Sequence, residues 1–159
     1  MNRLTLTLAC VLAIVVPRSS SAQSAKDSVV ATVNEFFRAM TARDSAAARR
    51  VMTADGIFYA VRARGDSTVI NRSTNESFAV TIATTRDTYL ERMWEPTVLV
   101  HGPIAVVWTP YDFHRSGQFS HCGIDAFSLV RSGTGWKIAT ITYTVEPTGC
   151  TPSPLGAPK

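Results

Sequence analysis

The sequence lacks most of what would suit a metal, a nucleic acid or a bilayer. Three cysteines and three histidines are scattered over 159 residues. They form no Cys-x-x-Cys pair and no ligand spacing of the zinc type, so neither a metal nor a cofactor is expected. The net charge is +4, but acids and bases alternate instead of forming the basic stripe that neutralises phosphates. Nucleic acid is therefore not an expected partner. There is no serine in a nucleophile elbow and no glycine-rich turn leading from strand to helix. The longest apolar stretch, Leu4 to Val16, is too short to span a bilayer comfortably.

That stretch reads as targeting. Met1-Asn2-Arg3 gives a short positive region before it. Pro17-Arg18-Ser19-Ser20-Ser21-Ala22 follows, with Ser20 and Ala22 at the two small-residue positions before a cleavage site. Residues 1–22 are expected to be a signal peptide, leaving a secreted or periplasmic protein that starts near Gln23 and has no stable membrane anchor. Cleavage removes Arg3 and Arg18 and no acid, so the net charge falls from +4 to +2. Cys122 and Cys150 remain. In an oxidising compartment they are candidates for a disulfide, with Cys122 as a buried free thiol the alternative.

What the sequence does contain is periodicity. Val29, Val30, Val33, Phe36, Phe37 and Met40 fall at helical spacing between Lys26 and Met40. Asp44 reads as the N-cap of a short second helix, Ser45 to Met52, stopped by a turn at Thr53-Ala54-Asp55-Gly56. Ile57 to Arg62 and Thr68 to Ile70 read as a hairpin. Ser73 or Thr74 with Glu76 suggests a third helix carrying Phe78 and Ile82. Four strands follow: Tyr89 to Val100, Ile104 to Arg115, Gln118 to Arg131 and Trp136 to Glu146. The stretch from Pro147, with four prolines and two glycines, reads as a flexible tail.

Regular pairing from the Ser116-Gly117 turn sets Asp112 opposite His121, Trp108 opposite Asp125 and Val106 opposite Phe127. Matching Leu129 to Ile138 sets Asp125 opposite Thr142. One face then carries Ile104, Val106, Trp108, Phe127, Leu129, Trp136 and Ile138, with Asp125 among them. The other carries Val107, Tyr111, Phe113, Cys122, Ile124, Ala126, Ile141 and Tyr143, and is apolar enough to suit a second subunit. His114 is expected on the opposite face from Asp112.

The order of elements resembles the nuclear transport factor 2-like, cystatin-like α+β cone. Phe37-Arg38-Ala39-Met40 with Arg43-Asp44, and Gly135-Trp136-Lys137-Ile138 opening the last strand, are similar to that family's. Trp94-Glu95-Pro96, Ile104-Ala105-Val106-Val107-Trp108 and His121-Cys122-Gly123-Ile124-Asp125-Ala126-Phe127 resemble a secreted bacterial branch labelled lumazine-binding, close to the SnoaL-like group. The resemblance covers residues 23–146, leaving 147–159 as the tail. It implies N-terminal helices packed on a strongly bent antiparallel sheet, with a pocket between them. That scaffold hosts isomerases, dehydratases, hydrolases and binders.

In the family's enzymes a carboxylate at the floor of an apolar cone has a raised pKa suited to moving a proton beside a carbonyl. Asp125 is the residue placed for that role, with Trp108 as a wall and Thr142 as a neighbouring hydroxyl. The alternative is a structural Asp125 bonded to Thr142 or to a helix end. His121 opposite Asp112 is a second candidate pair. Phe127 shares the face of Asp125, and Tyr59 is a further hydroxyl within the candidate set. The expected function is binding of a small, partly apolar molecule without assigned catalysis. The alternatives are an isomerase, dehydratase or cyclase using Asp125 as general base, and a dimerisation module with a vestigial pocket.

Overall fold

A computed structural model of the chain describes residues 19–158. The signal-peptide expectation falls mainly on residues 1–18, outside the described residues, and its cleavage point falls in the first turns of a helix. That helix, α1 (Ser19–Ala42), is followed by α2 (Ser45–Val51), β1 (Met52–Arg64), β2 (Ser67–Thr74) and α3 (Asn75–Thr84). Five strands complete the domain: β3 (Tyr89–Met93), β4 (Thr97–His101), β5 (Ile104–Arg115), β6 (Gln118–Ser132) and β7 (Gly135–Thr144). No described helix is long and apolar enough to cross a membrane.

The helix ends follow local chemistry. The Asp44 carboxylate accepts from Ala47 N at 2.8 Å and caps α2. At α3 a capping box joins Thr74 and Ser77: each side-chain oxygen accepts from the other's backbone N–H. The stripe on α1 is buried as its spacing dictates, with Val29 and Val33 fully covered and Phe36 and Phe37 set edge-on to Phe127. The helices thus close one face of the sheet, and the core lies between.

The strand order is β2-β1-β7-β6-β5-β3, with β4 also pairing with β5. The sheet is mixed, because β1 runs parallel to β7. This corrects the all-antiparallel expectation: α3 and the later strands intervene between β1 and β7, so no hairpin constrains their relative direction. The expected strand from Tyr89 to Val100 is two strands. They are broken at Trp94-Glu95-Pro96, where Glu95 adopts a left-handed φ of 48°. The expected turn at Thr53-Ala54-Asp55-Gly56 is an irregularity within β1, whose register against β7 jumps between Met52 and Ile57. Gly56 is needed there: a Cβ would lie 2.0 Å from the Asn75 side chain and 2.5 Å from Ala139 O.

Two bulges decide which side chains face the helices. Arg115 pairs with Gln118 across a tight turn in which Ser116 and Gly117 both have positive φ. Beyond it Phe113 pairs with His121 while His114 pairs with Phe119, so Ser120 is an extra residue on β6. Every later pair slips by one: Trp108 faces Ala126, Thr109 faces Asp125 and Val107 faces Phe127. In the same way Ala139 is extra on β7, so Asp125 faces Tyr143 and Thr142 faces Ala126.

The regular register expected above is therefore corrected on both sides of β6. Val107 is fully buried, whereas Trp108 is 55% exposed and Val106 42% exposed. The apolar partner face expected around Ile124 and Ile141 is not one surface, because Ile141 points inward and is 2% exposed. The outward apolar residues on β4, β5 and β6 include Leu99, Ile104, Val106, Trp108, Phe119 and Val130.

Cys122 and Cys150 form a disulfide. It holds the residues after β7 against the outer face, where Arg92 Nη1 also donates to Gly156 O at 3.0 Å. Gly123 permits the close approach of β6 to the end of β7: a Cβ there would lie 2.3 Å from Thr144 O. In the same place Tyr111 donates its hydroxyl hydrogen to Thr144 O at 2.6 Å.

Candidate functional site

The inward faces of β1, β3, β5, β6 and β7 bound a cavity of about 370 Å³ beneath α1 and α3, within the range that holds small organic ligands. Alternation supplies its walls. Phe58, Ala60 and Arg62 come from β1, Tyr89 and Glu91 from β3, and Phe113 from β5. His121 and Asp125 come from β6, and Ile141 and Tyr143 from β7. The helices add Phe36, Met40 and Phe78, the last stacked on Phe58 with centroids 4.8 Å apart. The surroundings are mainly apolar and aromatic.

Two acids sit in that setting. Asp125 is 1% exposed, and its buried Oδ2 accepts no hydrogen bond. Glu91 is partly buried, and its remaining surface faces the cavity. The two carboxyls lie within hydrogen-bonding reach of each other. Burial pushes Asp125 up to about 7, and a hydrogen bond from Glu91 pulls the other way. Burial first, and then the charge and hydrogen bond of Asp125, raise Glu91 well above an ordinary glutamate. The same charges, after burial, push Tyr143 up to about 12. Two carboxylates this close and this dry cannot both ionise easily, so they titrate as a pair that holds one proton between them near neutrality.

His121 stands nearer the mouth. Its ring lies 4.9 Å from that of Phe113, and its Nδ1 is 3.0 Å from Ser120 Oγ. Burial, with the positive charge of Arg62, pulls its pKa down to about 4, so the imidazole is neutral at physiological pH.

Several expected site residues lie elsewhere. Trp108 and Thr142 are exposed on the outer face, displaced by the two bulges, and neither walls the pocket nor meets Asp125. Tyr59 pairs with Arg72 and Thr142 and alternates away from Phe58 and Ala60, so it does not line the cavity. Phe127 points inward but is fully buried against Phe36 and Phe37, in the core rather than the pocket wall.

Asp112 does not meet His121. It faces Cys122 on the outer side, where Arg92 Nε donates to it at 2.9 Å. Burial works against its ionisation, but Arg92 more than compensates and holds the carboxyl below its usual range. His114 lies on the same side as Asp112, with Nε2 3.4 Å from Asp112 Oδ1, since residues two apart on a strand share a face. Among the described residues no group of three or more histidine, cysteine or acidic side chains is placed to hold a metal ion.

Glu91 was not identified from the sequence. A signal was present: Tyr89, Glu91 and Met93 alternate, which places one acid on a face otherwise apolar. Its meeting with Asp125 spans β5, and nothing local encodes that.

No protein-family model matches this sequence, and no curated protein matches it. Solved structures do resemble it. A nuclear transport factor 2-like superfamily protein from Salmonella enterica serovar Typhimurium superposes with a TM-score of 0.63 at 16% identity, over 82% of this chain and 96% of that one. A candidate dehydratase of the same family from Streptomyces avermitilis gives 0.60 at 17% identity, over 78% and 97%. A protein with a cystatin-like fold from Novosphingobium aromaticivorans gives 0.62 at 15%, over 80% and 85%. At these identities the likeness is one of fold.

Proposed function

We propose that this chain, with its nuclear transport factor 2-like fold, binds a small, partly apolar molecule bearing a carbonyl or hydroxyl group inside its cone. One observation carries the reading: two acids, Glu91 and Asp125, sit together in a cavity of about 370 Å³ walled largely by apolar and aromatic side chains. The buried Asp125 Oδ2 has no hydrogen-bond donor, which is costly; a ligand hydroxyl could donate to it, and a ligand carbonyl could accept the proton the pair shares. Thermal-shift titration with small ketones and alcohols tests this. At least one should raise the melting temperature, and Ala60→Trp, which fills the cavity, should abolish the effect. No stabilisation by any of them would overturn the reading.

A second reading, catalysis by proton transfer, is favoured by the same pair. A carboxyl that titrates near neutrality in an apolar site can take a proton beside a carbonyl and return it elsewhere, as isomerisation and dehydration require. In this reading Asp125 is the base and Glu91 the positioning acid that keeps one proton in reach. The dehydratase assignment of the Streptomyces avermitilis protein is in keeping with it. Deuterium exchange into a bound ketone, followed by NMR, separates the two readings. Exchange lost in Asp125→Asn with binding retained supports catalysis, whereas no exchange in the wild type leaves a binder.

We also assign the protein to the secreted or periplasmic compartment. The targeting pattern of residues 1–22 and the Cys122–Cys150 disulfide support this. Expression of the full chain in a bacterium, with N-terminal sequencing of the exported product, should give Gln23 as the first residue. A product retained in the cytoplasm with Met1 intact would contradict it.

A further inference from the structure

The pocket changes character from floor to mouth. Its floor holds the acid pair, while its mouth holds two guanidinium groups, Arg62 and Arg115, with the Ser120 hydroxyl. Arg115 is already engaged: its Nε donates to Asp87 Oδ2 at 2.6 Å, and Ser116 Oγ donates to the other oxygen of that carboxylate. Arg38, Arg49 and Arg92 are likewise each bound to an acid. Arg62 is different. It continues the inward alternation of Phe58 and Ala60 on β1, yet among the described residues it makes no ion pair and no side-chain hydrogen bond.

Arg62 is also close enough to matter inside the cavity. Its strand neighbour Val61 accepts a backbone hydrogen bond from Val145 N at 2.8 Å, and Val145 lines the same wall. Its positive charge is felt by both His121 and Tyr143. His121, being neutral, leaves Arg62 as the cation at the mouth that no acid satisfies among the described residues. At the floor the two acids cannot both ionise easily, which limits the negative charge there, and neither makes an ion pair with Arg62. His121 and Asp125 are four residues apart on β6, a separation of about 13 Å along an extended strand.

We infer that the pocket takes an amphipathic acid, whose anionic head is held by Arg62 at the mouth and whose apolar body reaches down to the Glu91–Asp125 pair. This rests on the ligand reading above and names the ligand's chemical class. The Phe36, Phe58, Phe78 and Ile141 side chains between mouth and floor suit an alkyl or aryl body. The Ser120 hydroxyl can donate to a remaining oxygen of a carboxylate or sulfate head.

Isothermal titration calorimetry with octanoate and its neutral counterpart octanamide tests the inference. Wild-type protein should bind octanoate about tenfold more tightly, the worth of one charge-assisted contact. Arg62→Gln should remove that advantage without changing octanamide binding, and Arg62→Lys should restore part of it. Added salt should narrow the gap, because Arg62 is exposed. Equal affinity for the two compounds in the wild type, or equal weakening of both by Arg62→Gln, overturns the anionic head while leaving the ligand pocket standing. Failure of both compounds to bind overturns this inference, while the ligand reading it rests on stands or falls separately on the ketone and alcohol titration.

Discussion

Glu91 on β3 and Asp125 on β6 reach each other across an intervening strand, β5, and lie within hydrogen-bonding distance at the floor of the cone. On a flat sheet, side chains two strands apart do not meet, since neighbouring strands are spaced by roughly 4.8 Å. Curvature brings them together, and the break at Glu95 and the bulges at Ser120 and Ala139 lie along the strands that curve. The consequence is electrostatic: folding forces two acids to share a dry space.

The first prediction follows from the sign of that effect. Both acids have folded pKa values raised above their unfolded ones, Asp125 to about 7, so above the ordinary carboxylate range the folded state binds more protons than the unfolded state. Their contribution to stability is fully present below the unfolded values and is lost as pH rises through the folded ones. His121 acts oppositely: its lowered pKa removes stability as pH falls from about 6.5 to about 4. Comparison of wild type with Asp125→Asn isolates the pair. The melting temperature of the variant should gain several degrees on wild type between pH 5 and pH 8. A difference independent of pH would mean that Asp125 has an ordinary pKa.

The bulge at Ser120 makes a second prediction, about neighbouring residues. Val107 faces the core with no exposure, whereas Val106 is 42% exposed. Val107→Asp should unfold the protein or cost several kcal/mol. Val106→Asp should stay within about 1 kcal/mol of wild type. Chemical denaturation measures both, and the opposite order would restore the unbulged register.

Gly123 carries a third. A Cβ there would meet Thr144 O at 2.3 Å, and that atom is backbone which cannot rotate aside. Gly123→Ala should destabilise by about 1–3 kcal/mol or more through overpacking. Because Thr144 O also accepts from Tyr111, the near-ultraviolet circular dichroism of that tyrosine should change as well. A variant with unchanged stability and spectrum would show that β6 and β7 are farther apart than described.

The disulfide gives a fourth. Cys122 and Cys150 are separated by 28 positions, and closing a loop of that size is worth about 3 kcal/mol. Cys150→Ser should lower stability by that order and loosen the segment that Arg92 binds at Gly156, measurable as faster proteolysis after Glu146. Pocket binding should survive, since neither cysteine lines the cavity. Loss of ligand binding in this variant would contradict that separation.

The sequence by itself determined the elements and their broad order. Spacing on α1 marks Val29, Val33, Phe36 and Met40 as one buried stripe, and Asp44 announces the start of α2. Alternation along β6 places Asp125, Phe127 and Leu129 on one face. These are local properties, set by residues a few positions apart, and so they can be read along the chain. The α+β class followed from them, while the cystatin-like fold came from the resemblance of element order and short motifs to the nuclear transport factor 2-like family.

Only the tertiary structure decided what surrounds the acid. A single extra residue at Ser120 or Ala139 reverses which neighbours face inward, because side-chain alternation has a period of two. That reversal exchanged Trp108 for Val107 and Thr142 for Tyr143. The parallel pairing of β1 with β7 brought Arg62 to the mouth, and the bend of the sheet brought Glu91 to Asp125. Each depends on contacts between segments tens of residues apart, which sequence periodicity does not encode.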